Sequence, residues 1–301
     1  LRLIRSAVPE HEFEATGGFH IDTLEGFDVL IPTMTTVTQE TLNSGDRLKL
    51  IQQCGAGLEM VDIDAAVARG IWVANVPTDI SGNADSVAEV GIYMMIGLSR
   101  NVHAMDRSLA QGKMGFPQGR ALFGRTVGLV GLGGIARALI RRLKAFDVKL
   151  IGVKRQTPRE AGKQLGLDWA GTPDELDVLL QQSDFVMLCL PVTDASKGIM
   201  NRHAFKQMKK DAFLINLSRG GLVERQDLED ALASGKIAGA GLDVFWEEPP
   251  DPDDPIFKYN VMATPHIGGC TDNAMDGIVA QAAANIRRVA DNKEPLHQFG
   301  V

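Results

Sequence analysis

The stretch Thr126–Leu139, TVGLVGLGGIARAL, decides the fold. Its first five residues read as a short buried strand. The helical pattern that follows puts Ile135, Leu139, Ile140 and Leu143 on one face. Between the two, Gly131, Gly133 and Ala136 stand in the spacing G-x-G-x-x-G/A. The first glycine permits a tight turn, the second lets a pyrophosphate approach the backbone, and the small third residue lets helix and strand pack closely. The helix N-terminus adds unpaired N–H groups and a positive dipole end. A strand at residues 149–153 completes a βαβ unit, the context in which this spacing points to a dinucleotide.

Outward from that unit, short β-rich runs alternate with helical patterns, which means α/β with parallel sheets. Downstream the strands are KLIGV (149–153), FVMLCL (185–190), AFLINLS (212–218), GAGLDVF (239–245) and VMATP (261–265). Thr172, Pro173 and Glu175 form a capping box that starts a helix between two of them. Upstream the strands are LRLIR (1–5), FDVLIP (27–32), LKLIQQ (48–53) and IWVANV (71–76), with helices in TQETLNSG (38–45) and DIDAAVARG (62–70). The run 84–100 is apolar on nearly every face and is expected to be buried on all sides, as a central helix between two domains. Residues 101–124 read as a polar, irregular crossing into the second domain. The last helix, about 272–291, carries a stripe of Met275, Ile278, Ala282, Ile286 and Val289 and is expected to return to the first domain.

A chain of 301 residues is long for one core, so two domains are the default. A formal charge of -7 argues against nucleic acid or anionic membranes as partners. The longest apolar runs are too short to span a bilayer. Three scattered cysteines, Cys54, Cys189 and Cys270, offer no disulfide framework or zinc site and fit a reducing cytoplasm. No signal peptide is visible, and the start at Leu1 suggests that the native N-terminus was processed or left out.

The strand at 149–153 ends in Lys154 and Arg155, where such a unit often ends in an acid that holds the ribose hydroxyls of NAD. A cationic pair would attract the extra phosphate of NADP. Charge-assisted hydrogen bonds are worth roughly 1.5–3 kcal/mol each, so two would favour NADP by about a hundredfold or more. NADP is therefore the expected cofactor, with NAD the alternative.

Three late strands end in groups that suit reduction of a 2-keto acid. Arg219 closes LINLSR, Glu247 and Glu248 follow GAGLDVFW, and His266 follows VMATP. A guanidinium pairs with a carboxylate in fixed geometry and polarises the adjacent ketone. A histidine donates a proton as hydride arrives. A carboxylate against the imidazole favours its charged form.

GLGGIA, LINLSRGGLVE, GAGLDVFWEEP and ATPHIGG, in this order and spacing, resemble the D-isomer-specific 2-hydroxyacid dehydrogenases over nearly the whole chain. The resemblance implies two domains, a Rossmann-type dinucleotide-binding domain (101–270) and a discontinuous, flavodoxin-like substrate domain (1–100 and 271–301). It implies a catalytic Arg219, an acid/base His266, and Glu248 rather than Glu247 as the histidine's partner. The backbone of Ala56, Gly57 and Leu58 would face the substrate carboxylate. Ser218 and Asp243 would lie near the nicotinamide, Pro191 and Thr193 near the adenosine half, with Gly134, Ile135 and Leu217 as further cofactor contacts. A homodimer through the cofactor domains and a small 2-keto or 2-hydroxy acid substrate are implied too, and no metal.

Departures from the pattern narrow the expectation. Gln53 stands where phosphoglycerate dehydrogenases tend to carry an arginine, which weakens 3-phosphoglycerate as substrate. The loop VPTDISGNADSVAE is long and has Ala84 in place of a common threonine. The chain before FDVLIP is short for the family. The expectation is a cytoplasmic reductase of glyoxylate or hydroxypyruvate type. Its alternatives are an NAD-linked phosphoglycerate dehydrogenase and a non-catalytic dinucleotide sensor resembling corepressors.

Overall fold

The computed structural model of the chain describes residues 2–18 and 20–300; Leu1 and Val301, which end the expected substrate-domain segments, lie outside them. The chain forms two compact units, Leu1–Asn83 with Cys270–Val301, and Ala84–Gly269.

The smaller unit opens with α1 (Arg2–Ala7), where the sequence suggested a strand. The reason is Ile4 and Val8, one helical turn apart, which pack with Ala282, Ala283 and Ile286. Then come β1 (Val29–Leu30), α2 (Gln39–Asn43), β2 (Leu50–Gln52), α3 (Ile63–Ala68) and β3 (Trp72–Ala74). Thr38 and Asp62 cap the two later helices, accepting from the Thr41 and Ala65 N–H groups.

The larger unit runs through α4 (Asn83–Arg100), α5 (Val102–Ala110), β4 (Thr126–Val130), α6 (Gly134–Leu143), β5 (Lys149–Val153), α7 (Pro158–Leu165) and β6 (Trp169–Gly171). It continues with α8 (Leu176–Gln182), β7 (Phe185–Leu188), α9 (Arg202–Gln207), β8 (Phe213–Asn216), α10 (Arg225–Ala233), β9 (Gly239–Leu242) and β10 (Val261–Ala263). The chain then returns to the smaller unit with α11 (Asp272–Ala290) and β11 (Gln298–Phe299). β11 adds antiparallel to β3, completing the order β1-β2-β3-β11.

Three expectations about residues 84–124 need correction. The division between units falls at Asn83 rather than residue 100, because Met94, Met95 and Leu98 join the larger unit's core with Leu139 and Met262. α4 is not buried on all sides: Tyr93 and Ile96 stand 56% and 40% exposed opposite its buried stripe. The supposedly irregular crossing contains α5, started by Asn101, whose side chain accepts from the Ala104 N–H.

The larger sheet has the order β10-β9-β8-β7-β4-β5-β6, parallel throughout. Its strands alternate between two cores. Val127, Leu129, Phe185 and Met187 belong to one, and Val130, Val186 and Leu188 to the other. Burial on both faces explains why these strands read as unbroken apolar runs. From β4 the chain winds out to β6, then returns to β7 on the other side of β4. That reversal is the switch point beyond which such sheets bind ligands.

Candidate active site

The glycine turn lies at that switch point. Gly131 has φ +94 and donates its N–H to Val153 O at 3.0 Å. A Cβ there would stand 2.7 Å from Cys189 O, where the chain leaves β7, so only glycine fits. Gly133, the N-cap of α6, has no side chain to satisfy the helix's first N–H groups. A Cβ at Gly133 would meet nothing closer than Cys189 O at 3.9 Å, so this face of the turn is open. Ala136 is fully buried, which gives the close helix–strand packing. Bare N–H groups, a positive helix end and open space fit a pyrophosphate. Gly134 begins α6, and Ile135 packs its side chain partly into the core.

Lys154 and Arg155 follow β5 and lack an ion-pair partner among the described residues, as does Arg137 on α6. Lys154 and Arg137 line a cavity of about 220 Å³ together with Leu132, Thr157, Glu160 and Gln164. Pro191 and Thr193 are exposed on the loop after β7, tied together by Ser196, which donates to Pro191 O and accepts from the Thr193 N–H, both at 2.8 Å. Leu217 and Ser218 are turned inward. Leu217 is in the core, and the Ser218 hydroxyl donates to Leu188 O at 2.9 Å. They can offer backbone, not side chain, to a ligand.

Three strand exits bring the sequence-predicted Arg219, Glu248 and His266 into the larger unit. Arg219 follows β8 on a turn braced by buried Asn216, which donates to Arg219 O at 2.7 Å and accepts from the Ser218 N–H at 3.1 Å. At Gly220 the chain runs directly against the Phe245 carbonyl, leaving no room for a Cβ. The Trp246 indole donates to Val223 O at 2.6 Å, which fixes the next loop. Glu248 on that loop accepts the Phe245 N–H at 3.0 Å and pairs with His266 Nδ1 at 2.7 Å. Glu247 makes no such contact among the described residues.

His266 is held in the left-handed region, φ +52, which is unusual for a non-glycine residue. Buried Asp243 maintains this turn by accepting from Thr264 Oγ1 at 2.6 Å, Ile267 N at 3.0 Å and Gly268 N at 2.9 Å. With Nδ1 donating to Glu248, the imidazole's Nε2 is the atom free to exchange a proton. For His266, the hydrogen bond to Glu248 is the largest influence. It and the nearby negative charges outweigh burial and the Arg219 charge, so the imidazole titrates above the ordinary histidine value. Burial works to raise the Glu248 carboxyl. The His266 and Phe245 hydrogen bonds and the Arg219 charge overcome it and hold that carboxyl below its usual value.

Ala56, Gly57 and Leu58 belong to the smaller unit, between β2 and α3. Their N–H groups have no partner among the described residues. Gln53 is buried, donating to Thr33 O and accepting from the Cys54 N–H, both at 2.9 Å. Burial pushes the Cys54 thiol up to about 11 and the Cys189 thiol up to about 12, so neither is a nucleophile at neutral pH. Among the described residues no group of three or more His, Cys, Asp or Glu could hold a metal, and no helix is long and apolar enough to cross a membrane.

Sequence reasoning missed Asn216, Gly220 and Arg137. A lone polar residue ending an apolar strand, and a glycine directly after a candidate arginine, were the available signals for the first two. Arg137 gave none, since its neighbourhood with Lys154 arises only in the fold.

Residues 92–268 match the model of the D-isomer specific 2-hydroxyacid dehydrogenase, NAD binding domain. A D-3-phosphoglycerate dehydrogenase of Methanocaldococcus jannaschii is 34% identical over 273 residues, covering 89% of this chain and 51% of that protein. A glyoxylate reductase of Thermococcus litoralis is 33% identical over 289 residues, 92% of this chain and 85% of its own. The crystal structure of the TT0316 protein of Thermus thermophilus superposes with a TM-score of 0.86 at 28% identity, covering 99% of this chain and 96% of that one. The chain spans about half the length of the phosphoglycerate dehydrogenases it matches, 51% and 48% in two of them.

Proposed function

The chain belongs to the D-isomer specific 2-hydroxyacid dehydrogenase family, and from that premise we propose that it reduces a small 2-keto acid, of the size of glyoxylate or hydroxypyruvate, to the 2-hydroxy acid. The observation that carries this reading is the His266–Glu248 pair, 2.7 Å apart, in the same unit as Arg219 and the glycine turn. A nicotinamide held by the glycine turn at Gly131 and Gly133 would supply the hydride for the keto carbon. Arg219 holds the carboxylate and polarises the carbonyl. His266 Nε2 delivers the proton to the carbonyl oxygen, and Glu248 orients and charges the imidazole. The balance is one hydride and one proton added across C=O.

NADPH is the proposed reductant. Support comes from Lys154, Arg155 and Arg137, three cations without ion partners among the described residues, two of which share a cavity with the Thr157 hydroxyl. Glu160 is the one acid on its lining. Gln53 counts against a phosphorylated substrate, since its amide is buried and spent on the backbone. We assign the unit Ala84–Gly269 to the dinucleotide and the other to substrate, and propose the cytoplasm from three scattered cysteines that offer no disulfide framework. We propose a homodimer through the larger unit, where Leu109, Met114, Phe116 and Phe123, each 63–88% exposed, are apolar surface that a partner could cover.

A spectrophotometric screen of 2-keto acids with NADH and NADPH in parallel tests the proposal. Turnover of a small keto acid, faster with NADPH, is expected. Tight cofactor binding with no turnover across the panel would instead make the chain a dinucleotide sensor.

A further inference from the structure

We propose that Asn75 is a positioning residue that sets the direction of the N–H groups receiving the substrate carboxylate. The inference rests on reading the Ala56–Leu58 loop as the carboxylate site. It adds what aims that loop.

A trans peptide points its C=O and N–H in opposite directions. Fixing a carbonyl therefore fixes where the next N–H points. Two successive carbonyls of this loop are fixed from one side. Gly55 O accepts the Val76 N–H at 3.1 Å, and Ala56 O accepts Asn75 Nδ2 at 2.7 Å. The N–H groups of Ala56 and Gly57 must then both face away from residues 75 and 76, and neither has a partner among the described residues. Adjacent N–H groups aimed to one side form a concavity for an anion.

The side chain that makes the second bond is 6% exposed, just beyond the end of β3. Its Oδ1 is buried without a hydrogen-bond partner among the described residues, and the bond to Ala56 O is the amide's one contact there. Turning the amide over would set oxygen against oxygen. The base of the loop is held separately, by Gln53 N to Ala74 O at 2.8 Å and by Gln53 Oε1, which accepts the Cys54 N–H at 2.9 Å. Asn75 thus controls one peptide plane rather than the folding of the whole loop.

Asn75→Asp keeps the shape but replaces the donor with an acceptor, so the Ala56–Gly57 peptide is expected to rotate and withdraw one N–H. KM for the keto acid should rise by about ten- to a hundredfold, the range for losing a hydrogen bond to a charged group. KM for the cofactor and kcat at saturating keto acid should stay within about twofold. The diagnostic readout is the preference for a keto acid over its methyl ester, which lacks the charge. That ratio should fall in parallel with the KM change, whereas a merely structural defect would leave it intact. Asn75→Ser, shorter and still a donor, provides a second variant if the aspartate does not fold, and should fall in between. Wild-type activity with an unchanged acid-to-ester ratio in the variants overturns the inference alone. A wild-type enzyme that neither turns over nor binds any keto acid in calorimetry overturns the functional reading, and this inference with it.

Discussion

Two ends of the same sheet are built in opposite ways. At the exit of β5, Lys154 and Arg155 carry charge and no ion-pair partner among the described residues. At the exits of β9 and β10, the Asp243 and Glu248 carboxylates and His266 Nδ1 are engaged at 2.6–3.0 Å. Groups that must move a proton are fixed against one another, because a misplaced base is a poor one. Groups that only have to neutralise a ligand charge can remain uncommitted, and then their contribution depends on the ligand and on salt. The contrast predicts that damage at the β9–β10 end appears in the chemical step, and damage at the β5 end in the choice of cofactor.

The largest effect is expected from His266→Ala. Removing the proton donor should lower kcat by roughly a hundred- to ten-thousandfold. Cofactor affinity, measured by fluorescence titration, should remain within about twofold. Retained turnover would break the comparison, because the networked end would then hold no chemistry.

Glu248→Gln comes next, and its signature is a pH shift. The hydrogen bond to Glu248 is the main reason that the imidazole titrates above its ordinary value. Reduction needs the charged imidazole, so its rate falls as pH rises through that raised value. In the variant the main cause is gone, and the fall should begin at lower pH, with kcat down about ten- to a hundredfold. Oxidation of the 2-hydroxy acid needs the neutral imidazole and should gain relative rate on the acid side. Superimposable kcat/KM profiles for variant and wild type would show that the pair does not act as a unit.

These two predictions use residues that the sequence already offered, and the reason is instructive. Arg219, Glu248 and His266 each follow a strand that reads as one, so parallel topology alone puts them at the same edge. What aims them was not legible. Asp243 bonds three groups 21 to 25 residues away, and nothing local in GLDVF announces the left-handed turn at His266. The constraint on Gly220 is the Phe245 carbonyl, distant in the sequence. The larger errors lie where tertiary packing overrides local pattern. α1 reads as a strand until α11 is there to receive Ile4, and α5 hides in a polar segment because few of its side chains are buried. Conversely, TVGLV needs no help, since any strand buried on both faces looks like that.

Replacing Lys154 and Arg155 together by Ala is expected to leave kcat with NADH near its wild-type value. It should lower the NADPH-to-NADH efficiency ratio by about ten- to a hundredfold. Parallel steady-state kinetics with the two cofactors measure it, and an unchanged ratio would reduce both cations to surface charges.

Arg137→Ala should produce the smallest effect, and it sharpens the contrast most. Arg137 is exposed on α6 and meets Lys154 only across a shared cavity. An exposed cation on a long side chain gains little, since water and ordering entropy offset the attraction. The NADPH preference should therefore drop by only about two- to fivefold. That drop should shrink further when ionic strength is raised well above 0.15 M, where the screening length falls below roughly 8 Å. A loss as large as that of the double Lys154 and Arg155 variant, and insensitive to salt, would mean that the β5 end is fixed in advance like the β9–β10 end. The distinction between a networked and an uncommitted strand exit would then fail at the point where the cofactor is chosen.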